Sequence, residues 1–72
     1  MKKYNISPSK KFMFDFHSGN EQTSAFAVEG DLVECERNQV YVTINDRRIH
    51  TINYSWIVSK AVTDGTLIEI TE

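Results

Sequence analysis

Seventy-two residues with a net charge of −2, 40% of them hydrophobic and 25% charged, make one small globular domain and leave no length for a second. A single cysteine, Cys35, excludes an internal disulfide framework and makes a reducing cytoplasm the expected setting. No stretch approaches the roughly 20 apolar residues of a membrane-spanning helix, and no apolar run follows the opening lysines, so neither a membrane segment nor a secretory signal is expected.

Residues 1–11 carry Lys2, Lys3, Lys10 and Lys11 and read as a basic N-terminal arm. Tyr4 and Ile6 of that arm can dock on a sheet edge, with Pro8 interrupting any continuous ladder. Residues 12–72 then form a single β-domain. Its clearest signal is Phe12-Met13-Phe14-Asp15-Phe16-His17, where three phenylalanines alternate with Met, Asp and His. A period of two marks a strand with one buried face. Ser18–Gln22 is a polar connection, and Phe26 and Val28 set the expected inward face of the next strand.

At Glu29-Gly30-Asp31 a bulge, bend or turn is expected. It shifts the phase so that Val33 and Cys35 point inward and Glu34 and Glu36 into water. Arg37-Asn38 suits a tight hairpin loop into Gln39–Asn45, and Asn45-Asp46-Arg47 the next reversal. In Arg48–Tyr54, Ile52 and Tyr54 share a phase with His50. Ser55–Val62 reads as either a strand or a short helical turn capped by Ser55 and closed by Gly65. Leu67–Ile70 marks the last strand. The expected core is Phe12, Phe14, Phe16, Phe26, Val28, Val33, Val40, Val42, Ile44, Ile52, Ile57, Val58, Ile68 and Ile70. That list is short, so association with a second copy is expected to help stability.

These elements describe an all-β barrel or roll of five to six mostly antiparallel strands. The pattern from Phe12 to Thr71 resembles Sm-like and SH3-like barrels, with Ala25–Glu36 as the long bent strand and Ile49–Val58 leading into Thr66–Thr71. Sm-like RNA binders carry Asp and Met-Asn after the second strand, where this chain has Arg37-Asn38-Gln39. Their later Arg-Gly pair is absent.

No catalytic or metal-binding constellation stands out. Asp15 and His17 share a strand face but lack an activated nucleophile, and Cys35, His17 and His50 lack the paired spacing of a zinc site. No cofactor is expected. Between Phe12 and Glu36 there is no Lys or Arg, whereas Asp15, Glu21, Glu29, Asp31, Glu34 and Glu36 all occur. Segregated charge suits protein contacts. The leading expectation is a non-enzymatic protein-binding module of phage or mobile-element accessory type that occludes a basic surface, with Asp31, Glu34, Glu36 and Tyr41 on its binding face. The alternative is an oligomeric single-stranded nucleic-acid binder using Arg47, Arg48 and Lys60 with exposed aromatics.

Overall fold

A computed structural model describes residues 1–70. In chain order the elements are β1 (Lys2–Ile6), β2 (Phe12–Ser18), β3 (Glu21–Ala27), β4 (Leu32–Glu36), β5 (Gln39–Ile44), β6 (Arg47–Tyr54), α1 (Trp56–Thr63) and β7 (Leu67–Glu69). Five strands form one antiparallel sheet in the order β6-β5-β4-β1-β7, and β2 and β3 pair as a separate hairpin. The described residues thus hold seven strands, more than the five or six expected. The difference comes from the N-terminus. Residues read as an arm docking on an edge supply β1, an interior strand paired with both β4 and β7. Tyr4 and Ile6 are buried accordingly.

The turns follow the local chemistry of the chain. Arg37 and Asn38, and then Asn45 and Asp46, all have positive φ, the backbone of tight two-residue hairpin loops whose twist matches the flanking strands. At Gly30, φ is +103°. Asp31 N–H donates to the Val28 carbonyl at 3.0 Å, and the Asp31 carboxylate accepts from Val28 N–H at 2.9 Å. The expected irregularity is therefore a turn. It separates strands of two sheets, so Ala25–Glu36 is not one long bent strand. Ser55–Val62 resolves as the helix α1. Gly65 at φ +87° ends it with Thr66 N–H on the Ala61 carbonyl (2.9 Å) and Gly65 N–H on the Val62 carbonyl (3.2 Å), a Schellman closure. Ser55 precedes α1 without a side-chain cap bond; its hydroxyl lies 2.5 Å from Asn38 Oδ1. Thr71, at the end of the expected last strand, lies outside the described residues.

The core is Tyr4, Ile6, Phe12, Phe14, Ala27, Val33, Val40, Val42, Val58, Ala61 and Leu67, with Phe16, Ile44, Ile49 and Ile57 packed against it. Five expected core residues lie outside it: Phe26, Val28, Ile52 and Ile68 are exposed, and Ile70 is half-buried without joining the cluster. The physical reason in β3 is volume. Phe12 faces Ala27 and Phe14 faces Ala25 across the hairpin, so the rings of β2 occupy the interior and leave alanine-sized space opposite them. Phe26 is consequently turned outward, opposite Met13. In β6 the inward residues are Ile49 and Thr51. Thr51 is buried and donates its hydroxyl to the Val40 carbonyl at 2.8 Å, satisfying both groups. In β7 Leu67 is the buried residue.

Candidate functional site

Three surfaces carry the residues of interest. The first is the outer face of the five-stranded sheet. Strand register sets Glu34 opposite both Lys3 and Tyr41, Tyr41 opposite His50, and Thr43 opposite Arg48. The Arg48 guanidinium lies over the Tyr41 ring at 4.0 Å, with its Nε 3.6 Å from Glu34 Oε1. The His50 ring stacks on Tyr41 at 4.7 Å between centroids, and its Nε2 meets Gln39 Oε1. Glu34 is 8% exposed, which reverses the expectation that it points into water. The pairing explains why this is tolerated, because a carboxylate leaves water at acceptable cost when a cation and polar neighbours replace it. Tyr41 is likewise engaged on its ring by Arg48 and His50.

The second surface is an open cleft of about 640 Å³ where the end of β2 meets the β5–β6 hairpin. Phe16, Ile44 and Ile49 form its apolar lining, and His17, Ser18, Asn45, Arg47, Arg48 and His50 its polar lining. No carboxylate is among the described residues that line it.

The third surface is the outward side of the β2–β3 hairpin together with the start of α1. Met13, Phe26 and Trp56 are 64%, 48% and 61% exposed. Met13 faces Phe26 across the hairpin, and Met13 and Trp56 line a common cleft with Lys11 and Lys60. The Lys11 ammonium lies 4.8 Å from the centre of the Phe26 ring. Asp64 also borders this cleft, but it is turned to internal work. Hydrogen bonds from the Thr66 side chain and backbone hold its carboxyl below the ordinary value, and Lys10 and Lys60 add attraction.

The residues singled out from sequence are thus redistributed. Glu34 and Tyr41 come together with Arg48, joining members of both expected sites in one internal network. Asp31 serves the Gly30 turn, and Glu36 is half-buried opposite Gln39. Arg47 and Arg48 line the second surface and Lys60 the third. Asp15 accepts a bond from the Ser24 hydroxyl at 2.5 Å, and its backbone N–H donates to Asn53 Oδ1 at 2.7 Å. The Met13–Phe26–Trp56 surface is not among the sequence expectations, which place Phe26 in the core, whereas it is 48% exposed. The available signal was the pair of alanines, Ala25 and Ala27, opposite two buried phenylalanines.

Among the described residues no group of three or more His, Cys, Asp or Glu side chains is placed to hold a metal ion, and no helix is long and apolar enough to cross a membrane. No protein-family model matches the chain, and no curated protein or solved structure matches it either.

Proposed function

We propose that this chain is a non-enzymatic protein-binding module and that it binds through Met13, Phe26 and Trp56. The observation that carries the reading is the exposure of Met13 and Phe26 on the outward side of a hairpin whose inward side places Phe12, Phe14 and Ala27 in the core, with Trp56 of α1 exposed beside the cleft that Met13 lines. Large exposed apolar groups with a polar rim are a property of interaction surfaces, and aromatic anchors dominate their energetics. Lys11 and Lys60 border the surface, so the partner it fits presents an apolar anchor flanked by carboxylates. Occlusion of a basic surface is less well supported, since Glu34 is paired internally and Asp31 holds a turn. An SH3-like roll fits this reading too: β2 packs along β6, which sets the hairpin against the end of the larger sheet.

The experiment is stoichiometric retention of a protein from cell extract by the intact, tagged chain. A variant with Met13→Ser and Phe26→Ser should bind the retained protein about 30-fold more weakly, the loss of roughly 2 kcal/mol typical of a hot spot. Arg47→Ala should leave retention unchanged. Equal retention by the Met13/Phe26 variant would overturn the assignment.

A further inference from the structure

We propose that the cleft between the end of β2 and the β5–β6 hairpin is a nucleotide-binding site. It is separate from the protein-binding surface and is read from different residues. Two arginines, two histidines, a serine and an asparagine line its polar side, and no carboxylate is among the described residues that do so. Arg47, His17, Ser18 and Asn45 offer N–H or O–H donors, which is what a phosphate group requires, whereas His50 and Arg48 are already engaged with Gln39, Tyr41 and Glu34.

The two arginines are not equivalent. Arg48 is held over the Tyr41 ring and beside Glu34, so it enters the cleft with part of its charge already balanced and little freedom left to lose. Arg47 is exposed and makes no ion pair among the described residues. The nearest carboxylate in sequence, Asp46, sits in the hairpin turn and not in the lining. Arg47 is therefore the primary phosphate ligand, with His17 and Ser18 offering donors from the end of β2.

The remaining lining decides between a bare anion and a nucleotide. At about 640 Å³ the cleft is far larger than a phosphate needs and falls within the usual range for small-molecule sites, roughly 300–1,000 Å³. Phe16, Ile44 and Ile49 are half-buried and supply its apolar lining, in which Phe16 is the aromatic side chain against which a base would stack. A phosphate held by Arg47 and a base on Phe16 use both halves of the lining. The same chemistry occurs in a free mononucleotide and in a single strand, and the strand form would extend the cleft's use along its open side.

The experiment is titration of the full ¹⁵N-labelled chain, followed by amide shifts, with inorganic phosphate, adenosine monophosphate and a ten-residue oligothymidylate in parallel. The expected result is saturable shifts at His17, Ser18, Asn45 and Arg47 with a nucleotide probe, and weaker or no binding of phosphate. Arg47→Ala should lower nucleotide affinity about tenfold, the loss of one charge-assisted bond of roughly 1.4 kcal/mol, while its otherwise unchanged spectrum shows the fold intact. Tighter binding of the oligomer, weakening steeply with salt, assigns the site to single strands. Equal affinity for the monophosphate assigns it to free nucleotide. Phosphate binding as tightly as either nucleotide would overturn the proposal, as would a phosphoserine peptide that shifts the same amides at lower concentration, or shifts that are absent at millimolar probe.

Discussion

The outer face of the five-stranded sheet and the outward side of the β2–β3 hairpin are both solvent-facing β-surfaces, yet they are built on opposite terms. On the large sheet, Glu34, Tyr41, Arg48, His50 and Gln39 satisfy one another through an ion pair, a cation–π contact, a ring stack and a hydrogen bond. On the hairpin, Met13 and Phe26 face each other across the strands and are 64% and 48% exposed, and Met13 shares a cleft with Trp56. On the large sheet, charged residues in the sequence do not amount to free charge on the surface. Charged residues set opposite each other by strand register neutralise one another, whereas apolar residues displaced from a filled core have no internal use.

The sharpest way to break this comparison is to disturb the two sides of the hairpin separately. Ala27 is 0% exposed, faces Phe12 and belongs to the core cluster. Ala27→Leu should cost about 3 kcal/mol by overpacking, a fall of roughly 12–24 °C in melting temperature for a domain of this size. Its outward neighbour gives the contrast. Phe26→Ala should cost about 1 kcal/mol or less, because half of that side chain is already in solvent. Urea midpoints distinguish the two.

On the large sheet the corresponding contrast is between adjacent arginines. Arg48→Ala leaves Glu34 buried without its cation and removes the partner over Tyr41. It should destabilise the fold by about 2 kcal/mol, between the values for exposed and fully buried pairs. Arg47→Ala should stay within about 0.5 kcal/mol. Equal losses for both would mean that the Glu34–Arg48 pair contributes nothing to the fold.

Alkaline pH reports on the interior strand. Burial raises the Tyr4 phenol above its ordinary value of 10.0, and Glu69 and then Cys35 push the same way. The folded state therefore holds the Tyr4 proton more tightly than the unfolded chain does. Its contribution is complete below pH 10 and is lost as pH rises through the folded value. Tyr4→Phe should flatten the stability loss above pH 10, as followed by chemical denaturation across pH. The smallest effect concerns Asp64, whose carboxyl is lowered by its bonds from Thr66. Its contribution is present above the unfolded value of 3.8 and fades as pH falls through the lower folded value. Asp64→Asn should slightly lower stability at neutral pH and remove that acid-side dependence.

Much of the fold was legible in local chemistry. Alternation in Phe12–His17 and Gln39–Asn45 located β2 and β5, and turn-forming residues placed both positive-φ hairpin loops and the Gly30 turn. Phase was legible only where one face was overwhelmingly apolar. In β3, β6 and β7 both faces offered apolar residues, and the choice between them depended on what the opposing elements already filled. Phe12 and Phe14 excluded Phe26, and Thr51 entered the core because its hydroxyl could bond the Val40 carbonyl. The interior place of β1 was illegible for a related reason. It depends on pairing with β4 and β7, about 30 and 65 residues away in sequence, which no local pattern encodes. The candidate surfaces inherited these limits: the cationic cleft combines His17 and Ser18 with a distant hairpin, and the apolar surface required the true phase of β3.

The most direct measurement of the central claim is to place a photo-reactive residue at Met13 in one variant and at Thr43, on the outer face of the large sheet, in another, and to irradiate both in cells. The account predicts a defined crosslink to a different protein from position 13 and a much lower yield from position 43. Equal yields from the two positions, or a stronger crosslink from Thr43, would contradict it.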